Sequence, residues 1–144
     1  MPESEPTAEA AAPAGPVFEL RLAVTVADLD AALAFYRGAL GMPEVEAYQD
    51  GDARVVVLAA GRATLELFNE EQAQLIDDVE VGRRVAPPVR VALQVADSAE
   101  MSARLVDAGA ALIAEPVVTP WQHRNARLQG PGDLQLTLFT VLEP

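Results

Sequence analysis

From about residue 19 the chain alternates. Leu22, Val24 and Val26 fall on one side of an extended segment, and Arg21, Ala23 and Thr25 on the other, the period of two that marks a half-buried strand. At Asp28 the period changes. Asp28 is a helix-opening residue, Leu29, Leu33 and the pair Phe35 and Tyr36 follow at helical spacing, and Gly41 with Pro43 just beyond closes the helix. Alternation then returns over about 44–49, 53–59 and 62–69, with turns at Gln49-Asp-Gly-Asp52 and Ala60-Gly61. The same grammar recurs later. A strand is expected over 89–95, and a helix opened by Asp97 or Ser98 carries Met101, Leu105 and Val106 on its apolar stripe and stops at Gly109. Strands follow at about 111–118, 123–129 and 133–141, with Gly130-Pro-Gly-Asp133 as a turn.

The recurrence extends to residue identity. Arg21-Leu-Ala-Val-Thr-Val-Ala-Asp28 matches Arg90-Val-Ala-Leu-Gln-Val-Ala-Asp97 at five of eight positions. Gly61-Arg-Ala-Thr-Leu-Glu-Leu-Phe68 matches Gly132-Asp-Leu-Gln-Leu-Thr-Leu-Phe139 at Gly, Leu, Leu and Phe. The two pairs lie 69 and 71 residues apart, and one nearly constant offset points to a duplicated unit. The expected fold is therefore α+β: two tandem βαβββ modules whose curved mixed sheets enclose a cleft. Module one is placed at 18–69 and module two at 89–141, within a single domain over 17–144. The intervening 70–88, with its acidic residues, Arg83-Arg84 and Pro87-Pro88, is expected to be a surface connection with a short helix. Met1 to Pro16, rich in Pro, Ala and Glu, is expected to be a disordered leader.

Alternation also assigns faces. Leu65 and Leu67 turn toward the helix of module one, and Thr64, Glu66 and Phe68 turn away. Module two places Arg90, Ala92 and Gln94 on the corresponding face, with Gln135, Thr137 and Phe139. These mixed faces are expected to line the cleft, where an apolar wall with a few polar groups suits a small organic ligand.

Composition narrows the chemistry. There is no cysteine and one histidine, His123, so disulfides and thiolate or His-rich metal sites fall away. The absence of cysteine fits a cytoplasmic protein. A net charge of −12 opposes nucleic acid and favours cationic small molecules. No stretch reaches the length of a membrane span, and the N-terminus lacks the basic start and apolar run of a signal peptide.

Val26-Ala-Asp-Leu-Asp-Ala-Ala-Leu-Ala-Phe-Tyr36 with Leu40-Gly41, and Leu65-Glu-Leu-Phe68, resemble the first module of the vicinal oxygen chelate superfamily, which contains glyoxalase I, bleomycin-resistance proteins and extradiol dioxygenases. Pro120-Trp121, Arg124 and Gly130-Pro-Gly-Asp133 resemble that family's signals in the second module, over a likeness that spans about 18–141. The resemblance implies paired βαβββ modules and, in metal-dependent members, one divalent ion held by His, Gln or Glu on the first and last strand of each module. Those positions here are Arg21, Glu66, Arg90 and Thr137. Only Glu66 is a good ligand, because arginine stays protonated and has no lone pair to give. No metal and no cofactor is therefore expected, and metal-dependent glyoxalase or dioxygenase activity is disfavoured.

Arg21, Arg90 and Glu66 admit two readings. Glu66 could bridge both arginines as a buried ion cluster, or the arginines could clamp an anionic ligand while Glu66 neutralises one of them. Phe68, Gln94, Trp121, Arg124, Thr137 and Phe139 complete the expected ligand-binding set, with Trp121 either covering the core edge or stacking on the ligand. His123 is read as satisfied or exposed, and Phe35 and Tyr36 as packing. The leading function is a glyoxalase- or bleomycin-resistance-like protein that binds a small organic molecule between its modules without a metal, as a homodimer. The alternatives are a lyase, isomerase or dioxygenase with Glu66 as catalytic base or with a relocated, non-standard metal site, or a non-catalytic interaction and dimerisation module with a closed cavity.

Overall fold

The computed structural model describes residues 15–143; all but the last two residues of the expected leader lie outside the described residues. The elements run β1 (Val17–Thr25), α1 (Leu29–Leu33, continuing as a wider π-helical turn over Ala34–Ala39), β2 (Glu44–Asp50), β3 (Ala53–Ala60), β4 (Ala63–Phe68), α2 (Glu70–Glu80), β5 (Val89–Val95), α3 (Ser98–Asp107), β6 (Ala111–Val118), β7 (His123–Gln129) and β8 (Gln135–Val141). Both βαβββ units occur in the expected order. The caps read from sequence are in place: Asp28 accepts from the Ala31 N–H at 3.0 Å, and Asp97 from Ala99 and Glu100 at 3.0 and 3.1 Å. Gly41 leaves α1 at φ +84° and Gly109 follows α3 at φ +114°, conformations that glycine adopts without strain.

The strands form one continuous curved sheet in the order β2-β3-β4-β1-β5-β8-β7-β6. Within each module the first and last strands are parallel neighbours; between modules β1 and β5 run antiparallel. Ala23 lies opposite Glu66, and its repeat equivalent Ala92 lies opposite Thr137. Leu22 pairs with Val91, the residue 69 positions later that is its own counterpart. The junction is thus where a pseudo-twofold relation between the modules passes, and it carries Arg21 and Arg90 onto the same face.

On the convex face α1 covers Val56, Leu58, Leu65 and Leu67 through Leu29 and Leu33, and α3 covers Ala126, Leu128 and Leu138 through Met101 and Leu105. Tyr36 packs there as expected, but Phe35 is exposed, its ring meeting Tyr36 edge-on at 4.9 Å. The connection between modules departs most from expectation. It does contain a helix, but α2 is not a surface element. Its Ala73 and Ile76 pack on Ala23, Val55, Val57 and Phe68 in the concave face, and Asp77 and Glu80 are buried. The charges of the segment masked this in the sequence: Asp77 and Glu80 pair with Arg127 of β7, and Asp77 and Glu70 pair with Arg84 of the segment itself. Among the described residues no helix is long and apolar enough to cross a membrane.

Candidate functional site

The concave face, with α2 laid across part of it, leaves a cavity of about 410 Å³. Its floor comes from the strands that the repeat aligns: the half-buried Glu66 and, all buried, Phe68 of β4, Arg90 and Ala92 of β5, Thr137 and Phe139 of β8, and Asn125 of β7. Leu75, Ile76, Val79 and Glu80 of α2 make one wall. The mouth is exposed, with Glu46, Tyr48 and Asp50 of the edge strand β2 facing Pro120 and Trp121 across it. Gln122 takes a left-handed backbone (φ 66°) in the tight turn closed by Thr119 N–H to the His123 carbonyl at 2.7 Å. That uncommon conformation for a residue with a side chain brings both Trp121 and His123 to the cavity.

The two arginines that sequence places together have different environments. Arg21 is engaged: its Nε donates to Glu19 at 3.2 Å, and its Nη1 lies 3.4 Å from Glu66 and 4.0 Å from Glu46. Burial works against its charge, yet Glu66, Glu19 and Glu46 outweigh burial and raise its pKa. Arg90 is 5% exposed and donates to Thr137 Oγ1 at 2.7 Å. Among the described residues no carboxylate oxygen lies within 4.0 Å of it. Burial, then the nearby charge of Arg127, lowers its pKa, with Glu80, Glu66 and Asp77 opposing at longer range. Each guanidinium also sits over a phenyl ring of the other module: Arg21 over Phe139 at 5.1 Å and Arg90 over Phe68 at 5.6 Å. Glu66 therefore does not bridge the pair; it holds Arg21 alone and leaves Arg90 facing the cavity.

A buried ion cluster does exist, on residues the sequence reading did not single out. Arg127, fully buried, donates to Asp77 at 2.7 Å, Glu80 at 2.7 Å and Gln135 at 2.8 Å. Asn125 donates to Glu80 at 2.6 Å, and Asp77 also accepts from the Val85 and Ala86 N–H groups. Burial would raise the Asp77 pKa, but those two backbone donors and Arg127 pull it below the ordinary carboxylate range. The cluster pins α2 to module two. A signal was present: Ala73, Ile76, Asp77 and Glu80 share one helical face, and Arg127 falls on the mixed face of β7.

Of the remaining expected residues, Phe68, Trp121, Thr137 and Phe139 line the cavity; Gln94 and Arg124 do not. Gln94 lies beyond the cavity's edge, opposite Glu19. Arg124 is turned to the other side, because His123 and Asn125 line the cavity and the residue between them must face α3. His123 stacks on Phe139 at 5.3 Å, and burial, then the charge of Arg21, lowers its pKa.

A divalent ion does not fit the four family positions. Arg21, Glu66, Arg90 and Thr137 all reach the cavity, but one carboxylate is the sole strong donor. The threonine oxygen already accepts from Arg90, and two guanidiniums stand where ligands would be.

The sequence matches the family model described as Glyoxalase/Bleomycin resistance protein/Dioxygenase superfamily over residues 20–138. The chain belongs to this superfamily. Its fold is shared with several solved structures. Methylmalonyl-CoA epimerase from Mycobacterium tuberculosis is 24% identical with a TM-score of 0.66, over 95% of this chain and 96% of that one. A hypothetical protein from Bacillus halodurans C-125 is 17% identical with a TM-score of 0.65, over 86% and 94%. A superfamily member from Vibrio splendidus 12B01 is 14% identical with a TM-score of 0.60, over 85% and 97%. No curated protein matches the sequence significantly.

Glu66 gives the site a pH signature. Burial, opposed by Arg21 and Arg90, raises its pKa. A carboxyl with a raised folded-state pKa favours the fold most while protonated, and that contribution is lost as pH rises through the folded value. Glu66→Gln is therefore expected to gain stability over the parent as pH rises from below the ordinary carboxylate range to neutrality. Thermal melts should show a gain of a few degrees, at about 2–4 °C per kcal/mol for a domain of this size. A stability loss that grows with pH would mean that the Arg21 pair outweighs burial.

Proposed function

We propose that this superfamily member binds a small organic carboxylate in the inter-module cavity, without a metal at the four family positions. One observation carries the reading: Arg90 is a buried guanidinium, facing the cavity, with no carboxylate within 4.0 Å among the described residues. A planar guanidinium pairs with a carboxylate through two parallel hydrogen bonds. Thr137, whose oxygen accepts from Arg90, keeps its own hydroxyl proton to donate. Phe68, Phe139, Trp121, Leu75 and Ile76 give the organic body an apolar enclosure, so a closed, non-binding cavity is the less fitting alternative. Calorimetric titration should show phenylpropanoate binding, with the isosteric amide at least about tenfold weaker. Binding should persist after exhaustive chelation; loss on chelation, with recovery on adding a divalent ion, would overturn the metal-free reading.

An enzymatic reading rests on Glu66, a half-buried carboxyl in the cavity floor beside Arg21 whose pKa burial raises. Such a group is suited to take a proton from a carbon next to a bound carboxylate, as a lyase or isomerase requires. The homodimer also stays a proposal. Phe18, Leu20, Leu22 and Val89 are exposed and apolar on the convex face at the module junction, and a second copy of the chain would cover them. Sedimentation showing only monomer at micromolar concentration would oppose it.

A further inference from the structure

The cavity is electrostatically two-ended. At its floor the guanidinium of Arg90 is buried without a close carboxylate. At its mouth the charged side chains are acidic: Glu46, with its side chain 44% exposed, and Asp50, both on β2 beside the exposed Tyr48. Of the cations lining the cavity, Arg21 is hydrogen-bonded to Glu19 at 3.2 Å and Glu66 at 3.4 Å and only approaches Glu46, at 4.0 Å, and His123 has its charged form disfavoured by burial and by Arg21. The mouth thus offers negative charge and aromatic faces, and the floor offers positive charge. Phe68 beside Arg90 and Phe139 beside Arg21, with Leu75 and Ile76 of the α2 wall, give the rest of the lining apolar surface.

A ligand that matches this profile carries opposite charges at its two ends. We propose that the cavity selects a zwitterion: a carboxylate seated on Arg90 and Thr137, a flat apolar body between the aromatic walls, and a cationic amine at the mouth against Glu46, Asp50 and the face of Tyr48. The inference rests on the carboxylate reading above and adds the far end of the ligand. The composition of the rim supports it, since a cation there is attracted by the field of Glu46 and Asp50 and by the face of Tyr48 between them, while an anion would meet the same two carboxylates and an Arg21 already held by Glu19 and Glu66. The whole-chain charge of −12 acts in the same direction on a ligand's approach, drawing a cationic end and repelling a second anionic one.

Three probes of one scaffold test this: phenylpropanoate, its para-aminomethyl derivative and its para-carboxy derivative, each titrated calorimetrically at low and high salt. The aminomethyl acid is expected to bind about tenfold tighter than the parent acid at low salt, and the dicarboxylate about tenfold weaker. Added salt should shrink both differences. The double variant Glu46→Gln with Asp50→Asn should remove most of the spread among the three. Equal binding of all three probes, or a spread unchanged in the double variant, overturns the zwitterion and leaves the carboxylate site standing. Binding of none of the three removes the carboxylate site, and the zwitterion with it.

Discussion

Arg127→Met is expected to lower the stability of the fold by about 3–5 kcal/mol, the usual consequence of removing one partner from a buried ion pair. Arg127 is fully buried and serves Asp77, Glu80 and Gln135 at once. Methionine fills much of the volume but removes the cation that Asp77 and Glu80 share, leaving Asp77 with Arg84 and two backbone N–H donors and Glu80 with Asn125. Denaturant unfolding would measure the loss. Its pH dependence follows from Asp77. A carboxyl whose folded-state pKa is depressed contributes stability that is present above the unfolded value and is lost as pH falls through the folded one. In the parent that contribution includes the hydrogen bond and charge of Arg127; in the variant that share is gone. The gap between the two proteins should therefore be widest near neutrality and close as pH drops below the ordinary carboxylate range. Adding Asp77→Asn and Glu80→Gln to the variant should recover much of the loss. A single variant within about 1 kcal/mol of the parent would show that the cluster does not hold α2 in the sheet.

Arg90→Met should do the opposite, sparing the fold and abolishing ligand binding. Removing a charge from a buried, hydrogen-bonded pair across an interface costs about 2–5 kcal/mol of affinity, which is roughly a 30- to 5,000-fold rise in Kd. The fold should lose far less, because the close partner left behind is the Thr137 hydroxyl rather than a carboxylate. Burial, which already lowers the Arg90 pKa, makes the uncharged replacement easier still. Unchanged affinity for phenylpropanoate would remove Arg90 from the site. A stability loss as large as that of Arg127→Met would make it part of the structural cluster, acting through the more distant Glu80, Glu66 and Asp77.

The duplicated motifs carried most of the architecture. Two strings at nearly one offset, 69 and 71 residues, aligned Arg21 with Arg90 and Glu66 with Thr137, and period-two alternation sent Leu65 and Leu67 to α1 and Phe68 to the cleft. The same alternation would have corrected Arg124, since His123 and Asn125 could face the cavity only if the residue between them did not. Local pattern could not reveal which arginine is engaged. Glu19 and Glu46 reach Arg21 from β1 itself and from the far edge of the sheet, and such pairings depend on how the sheet curves. It could not place α2 either, because a helix bearing Asp77 and Glu80 reads as solvated until Arg127, fifty residues later, is known to lie beneath it.

The helix between the modules occurs once in a chain whose strands occur twice. On one side of α2 lies the cavity. On the other, the gap among Ala23, Thr25, Phe68, Ala86, Pro87 and Arg90 has no room for a water molecule. Duplication alone would give two equivalent half-sites; a single connecting segment, pinned off-centre by Asp77 and Glu80, abolishes that equivalence. Binding should then saturate at one ligand per chain. The first strand of each module no longer plays the same part: of the two arginines that the repeat aligns, Arg21 is held by Glu19 and Glu66, while Arg90 faces the cavity with Thr137 as its hydrogen-bond partner.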